Sequence, residues 1–483
     1  MVAKAITRIA WLVFILIIDY GESSYSDITY HRRVGKTTDN FHVPEPYPHQ
    51  ARQFSSVKSP FRINPIVVPS SSRVYHVTEY GADPTGKEDS TGAVEKAMRE
   101  AVYGHGSESG QQLFSGIHDL GGSQLHLDGG TYRISRPLRL PRLRVGNFMI
   151  HGGSLRASEN FPSDGHVIEL WSPTTSPDSI SYEDISIKDI MIDANFRGGG
   201  ISVSNALRTI IDNCYISHFT TNGIYIQDGH ETFIRNSFIG QRITVGGDPR
   251  EKDFSGIGIK IVGNDNAVTD AVIFSASVGV MIIGQANVLT GIHFYNKDAQ
   301  LGGTGVYIKQ PGLTQARITN CYFDYTGIIA EDPVQLQIAD SFFLGNARVV
   351  IKSLDGVVCQ VSIVDNMFTG DWTGAPIVEL DEAKSAFKII EQVVVERNIV
   401  RGMNLKSTIA KGLTSGKGTI WNVDLSDVLL FPNRIQDVRY TFQQGGGSFP
   451  IHVLRNVSEN RVTIESNMHV SATVYVYVDQ NSY

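Results

Sequence analysis

Three aspartates, Asp228, Asp253 and Asp265, are the carboxylates of this chain whose neighbours and spacing fit acid–base chemistry. Asp228 opens Asp228-Gly229-His230-Glu231, a dense run of titratable groups in which His230 can tune a carboxylate or hold a substrate. Asp228 and Asp265 stand five and seven residues after Gly223 and Gly258, at comparable points of two similar phrases. Asp253 lies at the foot of the charged stretch Gly240–Ser255, just before the second of those phrases. In the same pattern stand Tyr225 and Tyr307, whose rings can stack on a ligand, and Lys260 and Lys309, whose ammonium groups can hold anions. An acid, a base, cations and rings are the parts of a hydrolytic site. The same residues have plainer uses: Asp beside Gly229 or Asn264 suits a turn, and isolated lysines are ordinary on a solvated face.

A repeat must position these groups. Glycine, aliphatic, variable, aliphatic recurs as Gly200-Ile201-Ser202-Val203, Gly223-Ile224-Tyr225-Ile226, Gly258-Ile259-Lys260-Ile261, Gly279-Val280-Met281-Ile282 and Gly305-Val306-Tyr307-Ile308. A second phrase follows each by 12 to 15 residues, as in Asn213-Cys214-Tyr215-Ile216 and Asn320-Cys321-Tyr322-Phe323. A period of 21 to 35 residues with at least two strands per period is the signature of a solenoid. Alternation sends the aliphatic residues inward and Ser202, Tyr225, Lys260, Met281 and Tyr307 outward. One coil cannot bury its apolar side alone, so the coils must stack, leaving a long open face suited to an extended polymer. The Asn or Asp that opens most second phrases fits a ladder of side-chain amides bonded to the backbone of neighbouring coils. Blades or a sandwich would need closely spaced hairpins, and the single Asn-Gly, Asn222-Gly223, precedes a strand phrase.

The chain has 483 residues, 47 of them Gly, and a net charge of −7, so no global positive field draws an acidic partner. It has no basic stripe or zinc-finger pattern, which argues against a nucleic-acid partner. Residues 1–24 read as a secretory signal: Lys4 and Arg8, then the apolar run Ile9–Ile18, too short to span a bilayer. Export to the extracellular space follows, with no membrane partner once the signal is removed. Cys214 and Cys321 occupy one slot four coils apart, too far for a disulfide, and Cys359 has no mate. No metal-ligand spacing is evident and no cofactor is implied. Asn456-Val457-Ser458 is a glycosylation sequon at Asn456.

Residues 25–73 read as an extended arm, 74–425 as the coil and 426–483 as a strand-rich C-terminal segment. Tyr75–Tyr80 reads as a strand, followed by a turn over Gly81–Gly86. Thr91–Val102 reads as a helix with Ala93, Val94, Ala97, Met98 and Ala101 on one face, placed to cover the exposed end of the stack. Gln124–Leu127 and Thr131–Ser135 flank a turn at Asp128-Gly129-Gly130. Asp193 reads as a turn residue.

Val77–Gly86 with Asp89-Ser90-Thr91 and the helix resembles the opening of pectate-lyase-like right-handed β-helix proteins. Leu127-Asp128-Gly129-Gly130-Thr131-Tyr132 is similar to the strand–Gly-Thr-Tyr unit that follows there. The likeness covers about residues 75 to 400, and with the signal it points to the divergent plant polygalacturonases of the QUARTET type. It implies an all-β, single-stranded right-handed parallel β-helix with an N-terminal capping helix. It also implies a monomeric cell-wall hydrolase of α-1,4 bonds in polygalacturonate, used in the separation of pollen tetrads.

Ordinary polygalacturonases carry Asn-Thr-Asp, Asp-Asp, Gly-His-Gly and Arg-Ile-Lys on successive coils. Those motifs align here with Thr220-Thr221-Asn222, Gly256-Ile257, Ser277-Val278-Gly279 and Tyr307-Ile308-Lys309, so only Lys309 carries over. The catalytic set expected instead is Asp228, Asp253 and Asp265, an acid and a base needing about 6.5–9.5 Å between them for inverting hydrolysis. Tyr225, His230, Lys260, Tyr307 and Lys309 are expected to bind a polyuronate, which offers one carboxylate per sugar. Two rivals remain: β-elimination with Lys260 or Lys309 as base, and a pectin-binding wall protein without turnover.

Overall fold

The computed structural model describes residues 73–104, 113–173, 180–242, 255–295 and 303–481. The glycine–aliphatic phrases are strands of one parallel sheet, the first sheet, whose rungs include Gly199–Leu207, Asn222–His230, Ile257–Asn264, Val278–Ile282 and Thr304–Ile308. Each coil has three strands, one more than the two phrases visible in the sequence pattern. Between the phrases lie strands of three or four residues, such as Ile210–Asp212, Phe233–Arg235 and Ala267–Thr269, which form a second sheet. Each offers one inward side chain, Ile211, Ile234 and Val268, too short a pattern to register as alternation. The second phrases form the third sheet, for instance Tyr215–Ser217, Phe238–Gly240 and Val272–Phe274. Every pairing in this right-handed β-helix is parallel.

The interior repeats from rung to rung. Ile201, Ile224, Ile259, Val280 and Val306 stack fully buried on the first sheet, and Val203, Ile226, Ile261, Ile282 and Ile308 form a second buried column beside them. Inside the third sheet Phe294, Phe323, Phe343 and Phe368 stack with ring centroids 4.8, 4.6 and 4.4 Å apart and nearly parallel planes. Rung spacing alone imposes that geometry, since parallel strands lie about 4.8 Å apart. The phrase glycine is required where rungs are closest: a Cβ at Gly258 would meet the carbonyl oxygen of Gly279 at 2.6 Å and Ile273 at 2.7 Å.

The corners differ from the expected amide ladder. Asn213, Asn236, Asp270, Asn320, Asp340 and Asp365 all adopt left-handed backbone, which Asn and Asp tolerate best after Gly. The side chains of Asn213 and Asn236 donate to the carboxylates of Asp189 and Asp212 at 2.6 and 2.9 Å, so they bond neighbouring side chains rather than backbone. Buried amide ladders occur elsewhere. Asn266 donates to Asn287 at 3.2 Å at the corner after the first sheet, and Asn366 donates to Asn398 at 3.1 Å just after the left-handed turns.

The helix Thr91–Tyr103 buries Val94, Ala97, Met98, Ala101 and Val102 in the same core and covers the N-terminal end. The segment read as a strand, Tyr75–Tyr80, is a strand only over Val74–His76; Val77–Tyr80 is a 3-10 turn ending at left-handed Gly81. The last coil strand is Ile399–Arg401, not a strand near residue 425. Ile409–Asp424 belongs to a four-stranded antiparallel sheet centred on Arg461–Asp479, with its own core of Trp421, Val423, Val462, Ile464, Val474 and Val476. Leu430 and Phe431 turn back into the coil core and close that end.

Phe323→Ala should remove the middle of the ring stack and cost about 3–5 kcal/mol. Urea unfolding followed by circular dichroism checks this; a loss below about 1 kcal/mol would mean that the stack adds little beyond its neighbours.

Candidate functional site

Register decides which outward side chains share a surface. On the first sheet one row runs Arg139, Glu169, Ser202, Tyr225, Lys260, Met281, Tyr307, Ile329, Val350, Glu379. Tyr225, Lys260 and Tyr307 therefore line one trough, with Lys260 one rung from Tyr225 and two rungs from Tyr307. Lys260 Nζ stands 5.2 Å from the centre of the Tyr225 ring, and Lys309 Nζ stands 5.3 Å from that of Tyr307. Each pair is a cation on a ring. Beneath Tyr225, His166 stacks at 6.2 Å, and burial pushes its imidazole down to about 4, so it is neutral.

Beyond Tyr307 the trough continues into a polar cluster. Tyr307 Oη donates to Glu331 at 2.6 Å, and Lys352 Nζ lies 3.5 Å from the same carboxylate oxygen. Glu331 is buried, and the hydroxyl and ammonium that meet it compensate its carboxylate for the lost water. Burial first, then the bond to Glu331, raises the Tyr307 phenol. Glu331 and Lys352 hold the same outward offset as Lys309 in the next coils. The phrase Gly327-Ile328-Ile329-Ala330 is a sixth copy whose final Ala conceals it, and extending the offset through it would have found both residues.

The expected acids lie at the edge of this trough. Asp228 sits at an irregularity in the strand, with φ at 56°, between Gln227 and His230. Burial pushes its carboxyl up, and its charge in turn contributes to raising the neighbouring Tyr225 phenol, after burial. Asp265 also has φ at 56°, and its carbonyl oxygen accepts the Glu231 N–H at 3.2 Å, which brings the two turns together on adjacent rungs. Both aspartates thus have left-handed backbone, Asp228 at an irregularity inside its strand and Asp265 in the bend just after its own. His230 pairs in register with Asn264 and lies 3.9 Å from Glu231, so the corner collects His230, Glu231 and both aspartates. Asp253 falls outside the described residues. Asp193 holds a turn, its carboxylate accepting the Asn195 N–H at 2.8 Å.

Of the residues that align with the motifs of ordinary polygalacturonases, Asn222, Ile257 and Val278 pair in register on three adjacent rungs and none is ionisable, whereas Lys309 stands at a different offset.

The third sheet carries a second concentration of polar and aromatic groups. Tyr215, Phe238, Val272, His293, Tyr322 and Phe342 form one outward row, and Phe274, Tyr295 and Asp324 the next. His293 meets the Tyr322 ring edge-on at 4.6 Å. Among these rings burial raises the Asp324 carboxyl from 3.8 to about 6. Asp324 stands one residue past the second phrase Asn320-Cys321-Tyr322-Phe323, and no sequence signal marks its burial.

A roomier concavity, about 460 Å³, lies on the C-terminal sheet between Lys411, Arg439 and Tyr477. No carboxylate lines it, and an open trough on a solenoid face encloses less volume than its chemistry warrants. Asn456 is exposed on the edge strand His452–Ser458. Among the described residues one group has metal-ligand geometry, His76, His126 and Asp128, on the second sheet near the N-terminal end. His76 stands about fifty residues from the other two in sequence, a spacing that only the coil brings together.

A curated relative, Polygalacturonase QRT3 of Arabidopsis thaliana, is 55% identical over 433 residues, covering 89% of each chain. This chain belongs to the QRT3 polygalacturonase family. No protein-family model matches it. Solved structures similar to this QRT3-family chain include the Dettilon tailspike protein, at 11% identity, covering 84% of this chain and 94% of that one with a TM-score of 0.46. The Streptococcus pneumoniae surface adhesin PfbA is 13% identical, covering 68% and 92%, with a TM-score of 0.45.

Asp324 makes stability depend on pH with a definite sign. The folded state keeps the proton to about pH 6 while the unfolded chain releases it near 3.8, so this contribution is present below about pH 4 and is lost as pH rises towards 6. Thermal midpoints of Asp324→Asn should lose that decline between about pH 4 and 6. An identical slope in both proteins would show that Asp324 titrates normally.

Proposed function

We propose that this chain is a secreted cell-wall polygalacturonase that hydrolyses α-1,4-galacturonosyl bonds of pectin, in the setting of pollen tetrad separation. Kinship to a protein named polygalacturonase supports the pectin-related, glycosidase-like part of the reading. The observation that carries it further is the single row Tyr225, Lys260, Met281, Tyr307, with Lys309 beyond. A polyuronate lying along the axis would meet a ring, a cation, an apolar surface and a second ring with its cation. Lys260 and Lys309 stand two rungs apart, roughly 10 Å at about 4.8 Å per rung, so one chain can place carboxylates on both. The basic and apolar opening of the chain and the exposed Asn456 sequon support a secretory route with glycosylation.

In this mechanism Asp228 is the general acid. Its partial burial beside Tyr225 favours the protonated form that must donate to the leaving oxygen. Asp265, exposed on the neighbouring rung, is the base that draws a proton from water, with His230 orienting the corner. Tyr307 is held by Glu331 and Lys352, so its ring stays in place as a platform without losing entropy on binding. A second reading keeps the reaction but moves the acid to Asp324, favoured by its carboxyl near 6, the range a catalytic acid needs.

Purified protein with polygalacturonate should release reducing ends between about pH 4 and 7 without added calcium. Lys260→Ala should raise KM roughly tenfold with little change in kcat, the cost of one charge-assisted contact. Asp228→Asn should lower kcat by about 10²–10⁴, the usual worth of a general acid. Full activity in Asp228→Asn with loss in Asp324→Asn selects the second reading. Pectin binding without new ends identifies a non-catalytic wall protein, and an unsaturated, ultraviolet-absorbing product identifies a lyase.

A further inference from the structure

His76, His126 and His151 pair in register on three adjacent rungs of the second sheet. The Nδ1 atoms of His76 and His126 converge on one oxygen of Asp128, at 2.5 and 2.8 Å. The ligand atoms of His76, His126 and Asp128 lie within 4.8 Å of one another. The other Asp128 oxygen is fixed from behind by Thr78, whose hydroxyl donates at 2.8 Å and whose backbone N–H donates at 3.3 Å. Such outer bonds orient carboxylates that ligate metals. The His126 ring is held as well: His151 meets it edge-on at 4.7 Å, and its Nε2 side faces Gly152, where a Cβ would come within 3.0 Å.

His126 Nδ1 stands 2.8 Å from an Asp128 carboxylate oxygen and 3.2 Å from the Asp128 backbone nitrogen, so the carboxylate and both imidazoles converge on one point. Around a tetrahedral ion with bonds of about 2.0–2.1 Å, ligand atoms stand roughly 3.3 Å apart. Opening the present contacts by less than about 1 Å provides that, and His76, the most exposed of the three, has room to move.

We propose that His76, His126 and Asp128 bind one divalent ion of the zinc class, with the fourth position open to water. Two imidazole nitrogens and one carboxylate suit zinc, cobalt or nickel and disfavour calcium, which takes oxygen ligands. The ion ties the first strand, Val74–His76, to the turn after the strand His118–His126, and so fastens the end of the solenoid where no further rung lies beyond the first strand among the described residues. It stands on the second sheet four rungs from the strand that follows Asp228, on a different face from the trough, so it acts on stability rather than on turnover.

The test uses untagged full-length protein stripped with chelator and titrated with zinc chloride near neutral pH. The expected result is one equivalent bound at micromolar affinity and a thermal midpoint raised by several degrees, with calcium chloride giving neither. His76→Ala and Asp128→Asn should each weaken zinc binding at least tenfold. The His76 side chain is 42% exposed, so its variant reports on the ion even where Asp128→Asn disturbs the turn. No stoichiometric binding, an equal response to calcium, or unchanged affinity in His76→Ala would overturn the proposal and leave a hydrogen-bonded His–Asp cluster.

Discussion

The interstrand hydrogen bonds that hold each rung residue-for-residue against the next are the constraint on which the faces of this protein depend. A parallel ladder repeats its side-chain direction without change, so whatever stands at one offset in a rung stands beside the same offset in its neighbours. Inside, the rule builds unbroken columns of isoleucine and valine and the stack of four phenylalanines. Outside, it makes rows in which residues 20 to 35 positions apart in sequence touch. The phrase glycines serve the same end, because a side chain there would strike the backbone of the following rung.

Chemistry on such a scaffold comes in rows rather than in pockets. The trough row sets rings beside ammonium groups, and the Tyr307–Glu331–Lys352 cluster shows how a buried carboxylate is accommodated when its neighbours in the ladder supply a hydroxyl and a cation. The positions that align with the motifs of ordinary polygalacturonases include Asn222, Ile257 and Val278, which carry no ionisable group. A change of side chains at one outward offset leaves the coil undisturbed, since outward positions bear little of the packing. Family membership and altered motifs are therefore compatible.

The two ends need separate solutions, because a stack has no partner for its first and last rungs. At the N-terminal end the helix Thr91–Tyr103 lays an apolar face on the core, and at the other Leu430 and Phe431 do so from a segment that leads into the antiparallel sheet. Corner residues matter as much as strands. Left-handed Asn and Asp recur at the turn between the second and third sheets, and the side chains of Asn213 and Asn236 bond carboxylates on the preceding rung.

The repeat of glycine and alternating aliphatics was enough, by itself, to determine a solenoid, its inward columns and the common face of Tyr225, Lys260 and Tyr307, because period and alternation are properties of order along the chain. The third strand of each coil was not legible, since three residues with one inward side chain carry no period. The end of the coil was misplaced for a similar reason: strand-like residues at 409–424 read alike in a parallel rung or an antiparallel sheet. Only the tertiary structure decided which charges are buried, so the burial of Glu331 and Asp324 and the convergence of His76, His126 and Asp128 emerged from it alone. Burial and convergence depend on what neighbouring rungs place alongside a residue, and that information is spread over distant parts of the chain.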